Sequence, residues 1–228
     1  MVLTRCSLSI LFATQLCVPG LAQQFQFGVK VGVPLTNYFE AGSVGTRGVF
    51  AEYSTATRRY TIGAAAEWRF AEHLGLELDA LYKRLGYSGT VSVFGFGNSN
   101  RASLFEVKGN SWDFPLLVKY RPGHRGLYMV GGGVLRHISS AHEVGTTTLS
   151  GGMPGITQTT PIDSDNPYDL RKRTYLGWTV SGGIEIGRTR LRVLPEIRYT
   201  RMTSNIAETA TPLRFTPNQL DFLLGLLF

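Results

Sequence analysis

Two residues of this 228-residue chain, His137 and Ser139, have the types and spacing that catalysis could use. Residues two apart on a β-strand share a face, so the imidazole could take the hydroxyl proton and activate the serine for acyl transfer. Glu143 is the nearest carboxylate that could orient the imidazole. The same residues also fit a histidine at a strand end beside a loop serine, and we favour that interpretation because the motif is short.

The segment from 137 to 139 resembles the His-x-Ser of outer-membrane lipid A deacylases, which are eight-stranded barrels with a lipid-facing Ser-His-Glu site. That resemblance implies hydrolysis of an acyl chain by Ser139 with His137 as its base. The chain departs from the family pattern, because Ser140 replaces the usual asparagine and Gly151 stands where the acidic partner is expected. Glu143 could serve only in a different geometry.

No other motif indicates chemistry, and we expect no cofactor and no metal. The four histidines fall on different turns or at a strand end: His73, His124, His137 and His142. The glycines at 131–133 precede no helix, so they do not form a phosphate loop.

The amino-terminus predicts a secretory signal peptide over residues 1–22, followed by a single β-barrel domain over 23–228. Residues 1–22 contain one early charge (Arg5), an apolar run over 8–13, and small residues at 20 and 22 before Gln23. Both cysteines, Cys6 and Cys17, would leave with this segment, so we expect neither disulfides nor thiolate chemistry in the mature chain.

Eight segments alternate between apolar and polar residues with the period of a strand. The first sets Phe25, Phe27 and Val29 against Gln26 and Gly28. The others cover 60–70, 74–83, 112–121, 127–138, 176–186, 190–199 and 218–228. Each is about ten residues long, enough for a tilted strand to cross a bilayer, whereas no apolar run after residue 22 could cross as a helix. The prediction is an all-β fold, an eight-stranded antiparallel up-and-down transmembrane β-barrel.

Two further patterns belong to this prediction. Aromatic residues fall near the strand ends, as in the interfacial bands of membrane barrels. The connections alternate between short (71–73, 122–126, 187–188) and long (34–57, 86–109, 139–173, 202–217). The long ones lack apolar periodicity, and we predict that they are loops that move or vary. In the glycine-rich fifth strand we predict that Tyr128, Val130, Gly132 and Val134 face outward.

The last strand, which ends on Phe228, resembles the terminal strand that the barrel-assembly machinery reads in bacterial outer-membrane proteins. As a whole, the mature chain is similar to the small outer-membrane β-barrel domain proteins, a porin-like family of eight-stranded barrels. The resemblance implies the bacterial outer membrane as location, with its lipids, lipopolysaccharide and the assembly machinery as partners.

An eight-stranded barrel is filled by its own side chains, so charges on the inner face must pair. The predicted lumen ion-pair network is Glu67, Arg69, Glu77, Asp79, Lys119, Glu185, Arg190, Arg192, Glu196 and Arg198. Lys83, Asp113 and Arg121 lie on the same polar faces and are expected to pair in the same way. A two-residue hairpin at 187–188 would place Ile186 opposite Thr189 and Glu185 opposite Arg190. The alternative role for these charges is a proton or ion pathway.

The formal net charge of +7 is dispersed over the strands without a basic helix or a stacking motif, so we expect no nucleic-acid partner. Basic residues where strands meet the long connections are predicted to contact lipopolysaccharide phosphates, unless they form only a solvated rim. They are Arg58, Arg59, Arg171, Lys172 and Arg173, with Lys83, Arg84, Arg136 and Arg201 at similar positions.

Three functional hypotheses follow. The first is a structural, adhesive or surface-interaction barrel without catalysis. The second is a narrow channel or transporter, which needs a continuous water path through the charged interior. The third is the deacylase.

Overall fold

The computed structural model describes residues 25–46, 48–55, 60–95, 99–123, 126–151, 157–167, 170, 173–187, 191–203 and 216–228. The predicted signal peptide lies outside these residues. Within them, no helix has the length and apolar character needed to span a membrane.

The described chain forms eleven strands in a single sheet. They are β1 (Phe25–Pro34), β2 (Gly42–Thr46), β3 (Val49–Thr55), β4 (Thr61–Arg69), β5 (Leu74–Phe94), β6 (Asn100–Tyr120), β7 (Leu127–Ser150), β8 (Thr157–Ser164), β9 (Thr174–Ile184), β10 (Arg192–Met202) and β11 (Asn218–Leu227).

Eight of these strands close into an antiparallel ring in the order β1, β4, β5, β6, β7, β9, β10, β11. The last strand pairs back onto the first, with Leu224 opposite Val31. Closure leaves the ring without an open edge. The predicted eight-stranded barrel is therefore confirmed.

Alternation along the strands places apolar side chains on the outside of the ring. Phe27 is 59% exposed, whereas Lys30 on the same strand is buried. Trp178 and Phe222 also point outward. Exposed aromatic rings form two bands around the barrel, one near each end of the strands. The inner band, at the end with the short turns, contains Phe25 and Trp68, whose ring centroids are 5.7 Å apart. The outer band comprises Tyr60, Tyr82, Trp112, Trp178 and Tyr199.

The predicted facing of the fifth barrel strand, β7, is wrong. Tyr128, Val130 and Val134 point into the lumen, whereas Met129 and Leu135 are exposed. The register against β6 explains the difference, because it sets Arg136 of β7 opposite Asp113 of β6, and both are buried. Residues an even number of positions from Arg136 must then also face inward.

The hairpin predicted at 187–188 is also wrong. Ile186 bridges to Val193 instead of Thr189, so the connection between β9 and β10 is longer than two residues. Arg190 lies outside the described residues. Pro195 cannot donate a hydrogen bond within a sheet, yet it pairs with Leu224 of β11 without a shift of register.

Three of the long connections are largely β-structure, not irregular loops. In the connection 86–109, β5 continues to Phe94 and β6 begins at Asn100. β2 and β3 lie within 34–57, and β7 and β8 occupy much of 139–173. Together β2, β3, β8 and the parts of β5, β6 and β7 beyond the outer band form a six-stranded extension, which we call the outer sheet. Valine, threonine and phenylalanine alternate with small residues there, and such residues favour strands.

An apolar cluster, which we call the cap, lies at the base of the outer sheet. It contains Tyr38, Phe39, Ala51, Tyr53, Leu85, Tyr87, Phe105, Val107, Val134, Ile138, Ala141, Leu170, Tyr175 and Met202. Tyr38 and Phe39 come from the connection between β1 and β2, and the Tyr38 carbonyl accepts a bond of 2.9 Å from the Thr216 amide. The cap thus ties the outer sheet to the mouth of the barrel.

Candidate functional site

The middle of the lumen is organised around Lys30 of β1. Its ammonium group contacts Glu77, and lies 3.1 Å from both Asp79 Oδ2 and Glu196 Oε2. Arg198 of β10 completes the layer, 2.8 Å from Asp79 and 2.7 Å from Glu196. These side chains are almost fully buried. Two cations therefore pair with three buried carboxylates, and such pairing is what makes the burial of charged groups possible.

A second layer lies towards the short-turn end of the barrel. Lys119 Nζ is 2.8 Å from Glu67 and 3.0 Å from Glu77, which links this layer to the middle one. Arg121 contacts Glu67 at 2.5 Å and Glu185 at 3.1 Å. The layer ends with Arg192, which pairs with Glu185, and with Arg69, 3.7 Å from Glu67 and 3.6 Å from Glu185.

A third layer lies below the cap. Arg136 binds Asp113 bidentately, with donor–acceptor distances of 2.6 and 2.7 Å. Lys83 lies 2.7 Å from Asp221 and 3.1 Å from Asp113. Lys83 was assigned both to the polar face of its strand and to a lipid-contacting rim, and it is buried in the lumen. Arg136 was expected at the rim but is also buried in the lumen, because its position depended on the facing of β7.

The structure thus brings together Glu67, Arg69, Glu77, Asp79, Lys119, Glu185, Arg192, Glu196 and Arg198. Lys30 and Asp221 were missing from the predicted network. The signal was present, because each is a single charge between apolar neighbours on an alternating strand. Such a residue must face the lumen when its neighbours face outward.

The cap closes the lumen above the third layer. The Tyr38 ring centroid lies 5.4 Å from Lys83 Nζ and 5.1 Å from Arg136 Cζ, within reach of cation–π attraction. A cavity of about 10 Å³ remains between Lys83, Asp113, Thr179, Arg198 and Thr200. That is room for about one water molecule. Among the described residues, the three layers of paired side chains and the cap therefore occupy the lumen, and its chemistry is charge pairing.

The three candidate catalytic residues do not form a common site. The register between β6 and β7 shifts at Ser139, where the chain bulges. His137 Nδ1 lies 3.1 Å from Thr174 Oγ1, and the Ser139 hydroxyl donates to the Asn110 carbonyl at 3.2 Å. Glu143 is on the opposite face of the sheet, because it pairs with Val107 of the buried cap.

Of the five basic residues predicted to contact lipopolysaccharide, the structure describes only Arg173. Its guanidinium donates to Asn166 Oδ1 at 2.7 Å and to the carbonyls of Ser139 and Asp165, both at 3.4 Å. Its guanidinium thus joins β7 to the two residues that follow β8. Contact of Arg58, Arg59, Arg171 and Lys172 with phosphates stays a prediction, since these residues lie outside the described ranges.

Replacement of Tyr38 by phenylalanine tests the cap. Burial raises the pKa of Tyr38 to about 12, and its hydroxyl has no hydrogen-bond partner within the described residues. A raised pKa stabilises the fold below pH 10 and loses that effect as the pH rises to about 12. We expect Tyr38→Phe to unfold at or slightly above the wild-type urea concentration at pH 7. Between pH 10 and 12, the free energy of unfolding of Tyr38→Phe should fall by about 2–3 kcal/mol less than that of the wild type.

The measurement is urea unfolding of the detergent-folded protein at a series of pH values, followed by tryptophan fluorescence. A variant with the same loss of stability between pH 10 and 12 as the wild type would show that Tyr38 is not protected from water.

A closed ring with an apolar exterior, two aromatic bands and a filled, ion-paired interior defines a transmembrane β-barrel. Residues 21–206 match the family described as outer membrane protein beta-barrel domain. The chain belongs to this family, and it is a protein of the bacterial outer membrane.

Three similar solved structures are much diverged from this chain in sequence. The outer membrane protein OprG from Pseudomonas aeruginosa is 14% identical, with 89% of this chain and 92% of OprG covered, at a TM-score of 0.45. Neisserial surface protein A is 10% identical (89% and 95% covered, TM-score 0.38). Ail, the attachment invasion locus protein of Yersinia pestis, is also 10% identical (90% and 99% covered, TM-score 0.39). No curated protein matches the sequence significantly.

Proposed function

We propose that this chain is a surface-interaction protein of the outer membrane that neither conducts solutes nor catalyses a reaction. The outer sheet is its binding part, and the barrel holds that sheet at the membrane surface. The observation that carries the proposal is the combination of a filled lumen with a six-stranded extension beyond the outer aromatic band.

The filled lumen argues against the channel hypothesis. A water path would have to separate Lys30 from three carboxylates and then displace the cap. Removing one partner from a buried ion pair costs several kcal/mol, about 3–5 in measured cases. Thermal opening at that cost would leave a barrel closed for almost all of the time.

The outer sheet supports an interaction role because it exposes apolar side chains beyond the lipid-facing bands. Phe94 and Leu104 are 58% and 61% exposed, and Phe50 and Val144 lie on the same outward face. These residues lie beyond the outer aromatic band, and exposed apolar groups outside the lipid-facing surface often mark binding surfaces. A deacylase has less support, because His137 and Ser139 are bonded to other groups and Glu143 lies on the opposite face.

Planar-bilayer recording tests the absence of conductance. We expect the detergent-folded protein to insert without discrete current steps, while a porin in the same bilayers conducts. Heat-modifiable migration on gels verifies that the inserted protein is a closed barrel. Ohmic current steps that scale with salt concentration would instead support the channel hypothesis.

Cell adherence tests the interaction role. Cells that display the chain are compared with cells that display a double variant, Phe94→Thr with Leu104→Thr, on arrays of immobilised proteins and glycans. We expect the double variant to adhere at least about tenfold less, since each large apolar side chain at an interface contributes on the order of 1–2 kcal/mol. The control is Thr90→Ala with Ser92→Ala on the same face. Equal adherence of all three would contradict the proposal.

A lipid A comparison tests the remaining enzymatic hypothesis. We expect lipid A from cells expressing the chain to keep all of its acyl chains, both with the wild type and with Ser139→Ala. Mass spectrometry of extracted lipid A is the measurement. Loss of an acyl chain that Ser139→Ala abolishes would establish the deacylase.

A further inference from the structure

We propose that the free edge of β8 binds an extended segment of another polypeptide, which adds to the outer sheet as an antiparallel strand. This inference rests on the proposed function and names the place and manner of the interaction.

Among the described strands, β8 has a partner on one side only. β8 pairs with β7 along its whole length, from Ser164 opposite Glu143 to Thr157 opposite Ser150. Among the described residues no strand pairs with its other side. An edge of eight residues offers a row of unsatisfied amide and carbonyl groups, which a further strand can satisfy.

The edge carries little protection against pairing. Natural edge strands are commonly guarded by lysine, by a bulge or by proline. β8 contains no lysine, and its register against β7 is continuous, so its guards are Pro161 and the exposed carboxylate of Asp163 near its end. The lower end of β8 is held by His142 of β7, which lies 2.8 Å from Asp165 and 3.6 Å from Asp163. The edge is thus ordered without being blocked.

Pro161 also indicates which groups face the open side. On an edge strand, proline is tolerated where its missing N–H would point away from the neighbouring strand. Thr159 and Asp163 are two positions from Pro161 and share its orientation. Their amides are therefore the donors that an added strand would meet.

A groove beside this edge gives the added strand a place for its side chains. It has a volume of about 510 Å³ and lies on the inner face of the outer sheet. Its lining combines hydroxyl, amide and aliphatic groups from Thr147, Leu149, Gln158, Thr160 and Ile162, with Arg101 at one end. Alternate residues of an added strand would point into it, and threonine, valine or isoleucine would suit both its width and its polarity.

The same features favour polypeptide over the other possible ligands. Glycan sites are commonly built on an aromatic side chain, and the groove lining contains none. A lipid chain would leave the edge amides unsatisfied. The opposite edge of the outer sheet, β2, is less suitable, because it has five residues, two of them glycine. β2 therefore serves as an internal control.

A tethered strand tests this inference with a designed peptide in place of the natural partner. A cysteine introduced by Ser164→Cys is linked through a disulfide to a nine-residue peptide of alternating threonine and valine, with a flexible amino-terminal linker. Tethering raises the effective concentration to the millimolar range, so weak pairing becomes detectable. The peptide would run from 164 towards 157, antiparallel to β8. Hydrogen exchange of the segment 157–164 in the full detergent-folded chain is the readout.

We expect the tethered peptide to slow exchange of the Thr159 and Asp163 amides at least about tenfold, with β2 unchanged. Alternate amides of the peptide point either towards β8 or away from it. N-methylation of the amides that face β8 should abolish this protection, whereas N-methylation of the amides that face away should leave it intact. Thr160→Trp, which fills the groove, should reduce protection. Thr159→Trp, on the opposite face, is the matched control.

Absence of protection, or protection that both methylated peptides retain, would overturn the inference. These outcomes differ from failure of the proposed function. If the Phe94 and Leu104 double variant lowers adherence while the tethered strand leaves β8 unprotected, the interaction role stands and the strand-addition site is wrong.

Discussion

Replacement of Lys30 by alanine is expected to destabilise the barrel by about 3–5 kcal/mol, the cost of breaking a buried ion pair by removing one partner. Among the described residues, Lys30 and Arg198 are the two cations that contact Glu77, Asp79 and Glu196 together. Loss of Lys30 leaves three buried carboxylates to Arg198, with Lys119 shared between Glu77 and Glu67. Leaving charges unpaired in a lumen without bulk water is the physical reason for the effect.

Urea unfolding in detergent measures this change, with the heat-modifiable gel shift as the readout of the folded fraction. The matched control is Lys108→Ala. Lys108 lies 2.9 Å from Glu106, but that pair is exposed to solvent, and such pairs contribute at most about 1 kcal/mol. Similar stabilities for Lys30→Ala and Lys108→Ala would mean that water reaches the middle layer, and the argument for a closed lumen would fail.

The lumen layers are predictable from the sequence wherever alternation is regular. Glu67 of β4, Glu77 of β5 and Arg198 of β10 each stand between apolar neighbours, so they could be assigned to the interior from their positions alone. The partners could not be assigned, because pairing depends on the register between strands. Glu185 shows this: it contacts Arg121 and Arg192, which lie on two different strand ends.

Glycine-rich and hydroxyl-rich segments were harder to predict. Glycines at 131–133 of β7 carry no information on facing, and the register with β6 decided it instead. The segments around Val91 and Thr147 show only weak alternation between apolar and polar residues, since both faces of the outer sheet contain serine and threonine. Their strand structure comes from long-range pairing with neighbours and from the cap, which local sequence patterns do not reveal.

The cap explains how the outer sheet stays ordered without lipid. Tyr87 of β5 is fully buried at its centre, with ring centroids 4.9 Å from Phe39, 6.2 Å from Tyr53 and 6.4 Å from Phe105. These contacts join the connection after β1 to three strands of the sheet. Offset and edge-to-face aromatic pairs add to the apolar burial, so Tyr87 links elements that are distant in sequence.

Tyr87→Ala is therefore expected to cost about 3–5 kcal/mol, the range for truncating a large buried aromatic side chain. The loss should be confined to the outer sheet, because the barrel beneath has its own ion-paired interior. Limited proteolysis measures it: cleavage between 86 and 109 should become much faster, while the gel shift of the closed barrel persists. Phe94→Ala is the control on the same strand, since Phe94 is 58% exposed and should change cleavage little. If both variants resist protease equally, the outer sheet does not depend on the cap. If Tyr87→Ala also loses the gel shift, the cap and the barrel form one cooperative unit, and the outer sheet could not open while the barrel stays closed.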